Sequence, residues 1–191
     1  KSTTAAGIFY RMKVEGFSVE LINEYAKDMT WENRDNILKD QLYILAKQNR
    51  KISRLIGKVD YVVTDSPLLM GLNYTPDTYY ENFKPFVFDV WDGYENINFF
   101  LHNDGNLTYD PTGRNQSEEE ADKIDKKIYN FLLQENVPFT PIKIIANNVN
   151  IKKNHINDIF KHLEGKETCQ LKSNSNMLSK TFGVLKNMFY K

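Results

Sequence analysis

The sequence predicts an α/β fold with a mainly parallel sheet, and three observations predict it. Short apolar runs of strand type alternate with longer stretches whose apolar residues recur every three or four positions, the pattern of helices laid over a parallel sheet. Two of the runs, FSVELI and VDYVVT, lead within two residues to a carboxylate, Glu24 and Asp65. In an open α/β sheet the C-terminal ends of the strands border the ligand crevice. Finally, 191 residues with 41% hydrophobic and 26% charged side chains are enough for one domain with a substantial core.

The elements follow in order. Residues 3–15 carry Ala5, Ala6, Ile8, Phe9 and Met12 at helical spacing, and Gly16 is placed to end that helix. Phe17–Ile22 is a short strand. Residues 31–56 read as one long helical stretch, with Ile37, Leu38, Leu42, Leu45, Ile52 and Leu55 as its apolar stripe and Gly57 at its end. Val59–Thr64 is a buried strand that Pro67 keeps from running on. Residues 76–92 are aromatic and acidic, and fit a helix or an irregular segment on the substrate side. Ile97–Leu101 is another core strand, followed by a polar loop from His102 to Gln116. Ser117 and Glu120 have capping-box spacing and open a helix through Leu132. Lys143–Ala146 is expected as the last strand. Ile156, Ile159, Phe160 and Leu163 mark one more amphipathic helix. Residues 165–175 are polar, and residues 176–190 are expected to form an amphipathic tail helix through Met177, Phe182, Leu185 and Phe189. This gives a domain over residues 1–165 and a tail over 166–191.

Composition excludes several classes. Lys and Arg number 25, as do Asp and Glu, so there is no net attraction to nucleic acid or anionic membrane, although a local basic cleft remains compatible. One cysteine, Cys169, cannot make an internal disulfide or a multi-cysteine metal site. The single cysteine fits a reducing, cytoplasmic setting, and with no stretch of eighteen apolar residues no membrane span is expected; no signal peptide is visible. His102, His155 and His162 lack metal-ligand spacing, and His162 is expected at the surface.

The chemistry-bearing motifs lie at element ends. Lys1-Ser2-Thr3 stands where a helix begins. In a phosphate-binding loop a lysine at that place reaches the outer phosphates and the next hydroxyl holds magnesium, with a glycine-rich turn and a strand expected upstream. The same tripeptide also fits an ordinary helix start. Asp65 closes an apolar strand, where a carboxylate can hold magnesium or its waters; such an aspartate can also simply cap the next turn. Glu24 is placed to orient an acceptor hydroxyl or take its proton, or is a solvated loop acid. Arg114, in GRNQ, suits a mobile lid arginine that neutralises a transferring phosphoryl group, or a turn at the surface. Gln41, Leu45 and Gln48 share one helical face, where amides can read a nucleobase edge or border the apolar core. Tyr25 and Trp31 are candidates for stacking on a base, although aromatics at such positions also serve the core.

The stretches VELINEYAKDMTWE, DQLYILAKQNRKISRL, KVDYVVTDSPLL and GRNQSEEEADKID resemble phage-encoded P-loop ATPases, a group often described as AAA-type or nicotinamide-riboside-kinase-like and related to thymidylate and deoxynucleoside kinases. The resemblance spans about residues 1–165. It implies a three-layer, Rossmann-like P-loop kinase core with a lid over about residues 102–120, using ATP and Mg2+. It implies Lys1, Ser2 and Thr3 as nucleotide-binding residues at the end of the Walker A loop, Ser2 and Asp65 as metal ligands, Glu24 as the acceptor-side acid, and Arg114 as the lid arginine. Where the family pattern has a basic residue after the INFFL strand, this chain has His102-Asn103-Asp104.

The expected activity is therefore magnesium-dependent transfer of a phosphoryl group from ATP to a nucleoside, a nucleotide or nicotinamide riboside, with Lys1, Glu24, Asp65 and Arg114 as catalytic residues and Glu24, Tyr25 and Gln41 on the substrate side. A kinase acting on a polynucleotide or modified DNA is the related alternative, disfavoured by zero net charge. A regulatory protein that binds nucleotide without turnover is the alternative from another class. A homodimer is compatible with the sequence, and the compartment under the resemblance would be the host cytoplasm.

Overall fold

The computed structural model describes residues 1–103, 117–144, 155–170 and 180–186. Five strands, β1 (Val19–Ile22), β2 (Tyr61–Thr64), β3 (Glu95–Asn103), β4 (Thr140–Ile144) and β5 (Lys180–Lys186), form one sheet in the order β1-β2-β5-β3-β4. Every neighbouring pair is parallel. The helices are α1 (Ser2–Val14), α2 (Tyr25–Trp31), α3 (Asp35–Leu38), α4 (Gln41–Ser53), a 3-10 helix (Leu68–Tyr74), α5 (Phe83–Asp92), α6 (Glu118–Gln134) and α7 (His155–Gln170). The fold is thus mixed helix and strand around a parallel sheet.

Strand alternation divides the core into two layers. Tyr61 and Val63 of β2, with Ile97, Phe99 and Leu101 of β3, pack against Ala5, Ile8 and Met12 of α1 and Ile159 and Phe160 of α7. The intervening Val62 and Phe100 face the other way, onto Leu45 and Ile52 of α4, Leu68 and Leu69, Phe83 and Val87 of α5, and Ile128 and Leu132 of α6. Burying both faces explains why the strands read as nearly continuous apolar runs.

Several boundaries obey the local chemistry. Gly16 follows α1 with φ +88°, a conformation that costs glycine nothing. The capping box of α6 is complete: Ser117 Oγ accepts from the Glu120 amide at 3.3 Å, and Glu120 Oε2 accepts from the Ser117 amide at 2.8 Å. Glu118, Glu119 and Glu120 then complement the positive end of the helix dipole.

Three expectations need correction. The single helix expected over residues 31–56 is broken into pieces. Asn33 takes φ 54° after α2, and Asp40 opens α4 by accepting the Tyr43 amide at 3.0 Å. Asparagine and aspartate offer the backbone local alternatives to helix, and apolar periodicity does not register such breaks. The C-terminal tail helix is replaced by β5, which pairs with Tyr61–Thr64 on one side and with Glu95–Leu101 on the other. The slot between β2 and β3 offers unpaired backbone donors and acceptors on both edges, and the segment KTFGVLK satisfies them by pairing. Consequently β4 (Thr140–Ile144), which begins three residues before the expected Lys143, is not the last strand; residues 145 and 146 of the expected strand lie outside the described residues. His162, expected at the surface, is half-buried: Nε2 lies 3.1 Å from Thr140 Oγ1 and its ring stands edge-on to Phe99. Most of the expected lid, residues 104–116, lies outside the described residues; His102 and Asn103 belong to β3, and Ser117–Glu120 to the start of α6.

Candidate functional site

A polar cluster forms where the N-terminus of α1 meets the C-terminal ends of β1 and β2. Ser2 Oγ donates to Asp65 Oδ2 at 2.5 Å. The Lys1 ammonium pairs with Glu24 Oε2. Three segments far apart in sequence therefore contribute one ammonium, one hydroxyl and two carboxylates. The alternation of β2 explains the aim of Asp65: Val63 faces the α1 layer, and two residues on Asp65 faces the N-terminus of that helix.

The electrostatics are those of a paired site. Lys1 retains 27% of its side-chain surface exposed. Burial alone would pull its ammonium down, but the charges of Glu24 and Asp65, the hydrogen bond it donates to Glu24 and the nearby Tyr74 together hold it above the ordinary lysine value. Asp65 is 4% exposed, and its Oδ1 has no hydrogen-bond partner among the described residues. A buried carboxylate oxygen left open in this way is costly unless something binds it.

Glu24 occupies the N-cap position of α2, yet its side chain makes no capping bond, because it is turned to Lys1. The Tyr25 amide, an orphan donor at a helix start, is satisfied instead by Gln48 Oε1 of α4 at 3.1 Å. Gln48 Nε2 lies 3.3 Å from Thr64 Oγ1, and Thr64 Oγ1 also accepts from the Ser66 amide at 3.1 Å. Gln48, buried at 3% exposure, thus ties the residue after Glu24 to the residue before Asp65. From the sequence, Gln48 is open to reading a nucleobase edge or bordering the core. Its only sequence signal was the face it shares with Gln41, and its bonding partners come from other elements. Beside it lies a shallow hollow of about 20 Å³, partly open to solvent, lined by Leu45, Gln48, Ser66, Gly71, Phe83 and Val87 among others.

The other expected residues fall as follows. Thr3 is exposed in the first turn of α1. Thr4, beside it, is buried, with Oγ1 2.9 Å from His155 Nε2. Tyr25 follows Glu24 and its ring meets Tyr43 edge-on, with centroids 6.0 Å apart. Gln41 is buried and spends its amide on the Leu38 carbonyl at 2.7 Å. Two helical turns, about 10 Å, separate it from Gln48. Arg114 lies outside the described residues. Trp31 is exposed rather than part of the core.

The donor set suits a hard cation. A hydroxyl and a carboxylate with one open oxygen are what Mg2+ takes when most of its remaining ligands are waters and phosphate oxygens. Among the described residues no three His, Cys, Asp or Glu side chains converge, so such an ion would lean on Ser2, Asp65 and a bound phosphate. Among the same residues no helix is long and apolar enough to cross a membrane. Comparison with protein-family models, with curated proteins and with solved structures gives no match to this chain.

Proposed function

We propose that this chain is an ATP- and magnesium-dependent phosphotransferase with a P-loop kinase core, acting on a hydroxyl or phosphate of a nucleoside, a nucleotide or a related riboside. The observation that carries the reading is the meeting of Lys1, Ser2, Glu24 and Asp65 at the N-terminus of α1, beside the ends of two parallel strands. A helix N-terminus presents backbone N–H groups and a positive dipole end to an anion. Lys1 adds a full positive charge there for the outer phosphates. Ser2 and Asp65 would hold Mg2+, which supplies charge neutralisation between the phosphates when bound. Glu24 would orient the acceptor hydroxyl and accept its proton. Gln48 fixes the backbone beside both acids, which matters because such catalysis is largely positioning and electrostatics.

The test is ATP turnover by the full-length protein with a panel of nucleosides and nucleoside monophosphates. Acceptor-dependent ADP release, dependent on Mg2+, is the expected result. ATP binding without acceptor-dependent turnover would replace the kinase with a nucleotide-binding switch.

A further inference from the structure

The outer face of α4 carries a line of side chains that the phosphotransfer site does not use. Tyr43, Lys47, Arg50 and Arg54 follow one another at spacings of four, three and four residues, which puts them on one side of a helix over about 16 Å. All four are exposed. Lys47 lies over the Tyr43 ring, 5.2 Å from its centroid, and neither Arg50 nor Arg54 has an ion-pair partner among the described residues. The line runs toward the acceptor-side acid: Tyr43 meets Tyr25, the residue after Glu24, and Lys51 lies 5.5 Å over the Tyr25 ring while donating to the Asn23 carbonyl at 3.2 Å.

Charge is distributed to match. The chain as a whole is neutral, but residues 25–58 hold eight basic side chains against four acidic ones, whereas residues 59–95 hold one basic against seven acidic. Resting on the reading above, we propose that the acceptor is carried on a single-stranded nucleic acid, its backbone along Lys47, Arg50 and Arg54 and its bases against Tyr43 and Tyr25. Aromatic rings interleaved with a cationic track are the recurring means of holding single strands; here Tyr43 is exposed and Tyr25 half-buried. A free nucleoside needs no cations one to three turns beyond Tyr43. An acidic peptide would use the cations but leave the rings idle.

The experiment measures fluorescence anisotropy of a short labelled oligodeoxythymidylate with the full-length protein, as a function of salt, and then transfer of label from γ-labelled ATP. The wild-type chain should bind. The triple variant K47E/R50E/R54E should lose at least about tenfold in affinity and about two in the log-log salt slope, given roughly 0.7 per phosphate on single strands. Tyr43→Ala should lose about 5- to 150-fold with little change in slope. Circular dichroism of both variants checks that they fold. Label should appear on the oligonucleotide. Absence of binding by the wild type, equal binding by the folded triple variant, or equally strong competition by polyglutamate each overturns the proposal. Label on free nucleosides but not on the oligonucleotide overturns it while leaving the phosphotransfer reading intact. Binding without label on either acceptor overturns that reading as well, and leaves only a nucleic-acid-binding surface.

Discussion

The two faces of the sheet are built differently. Against α1 and α7 the core is dry and close-packed: Phe99, Leu101, Ile8, Met12, Ile159 and Phe160 are almost wholly excluded from solvent. Thr4, buried on this face, and the half-buried His155 satisfy each other. The face covered by α4, the 3-10 helix, α5 and α6 buries Gln41, Gln48, Asn73 and Asp125 as well as its apolar residues. The amide of Asn73 has neither side-chain atom hydrogen-bonded among the described residues. Apolar contact is the cheap way to cover a sheet, and buried polar groups cost free energy unless matched. Asp65 and Ser2 meet instead on the α1 side, where β2 ends, so the candidate chemistry sits at the rim of the dry face while Gln48 braces it from the other.

Substitutions on each face should separate the two roles. The largest effect on stability is expected from Phe99→Ala, about 3–5 kcal/mol by loss of a fully buried ring, read as a fall in thermal midpoint, with the KM and kcat of the surviving folded fraction unchanged. Asp65→Asn should do the reverse. Magnesium-dependent transfer should drop about 10²- to 10³-fold with the thermal midpoint nearly unmoved, and full activity in this variant would remove Asp65 from the metal site. Gln48→Leu should cost about 1–3 kcal/mol, since it strands the Tyr25 amide and Thr64. It should also lower kcat more than it raises KM, because the backbone beside Glu24 loses its anchor; equal loss in both would reduce Gln48 to a packing residue.

The smallest effect concerns pH. Burial pushes His155 below the ordinary histidine value, while Asp158 opposes. The folded protein therefore favours the neutral ring. The corresponding stability is fully present above the unfolded pKa of about 6.5 and is lost as pH falls through the lowered folded value. Thermal midpoints measured across that window should decline toward acid, and His155→Gln should flatten the decline. A tighter mechanical link on the same face is Gly7, where an added Cβ would stand 2.3 Å from Ile156 Cδ1. Gly7→Ala should force α1 and α7 apart or displace that side chain.

The sequence alone determined the α/β class, the helices α1, α6 and α7 and the two carboxylates that follow strands, because period and strand-end position are local properties of a chain. It located the start of α6 to the residue, since a capping box is written in four consecutive positions. The tertiary structure decided what local patterns cannot encode. The segment 180–186 has apolar residues at spacings compatible with either helix or strand, and only the two open edges of β2 and β3 select the strand. Gln48 became a link between two acid-bearing segments because α4 lies across both, and Lys1 became a partner of Glu24 because β1 and α1 share one end of the sheet. Each of these depends on groups brought together from distant parts of the chain, and such a meeting has no signature in the spacing of neighbours.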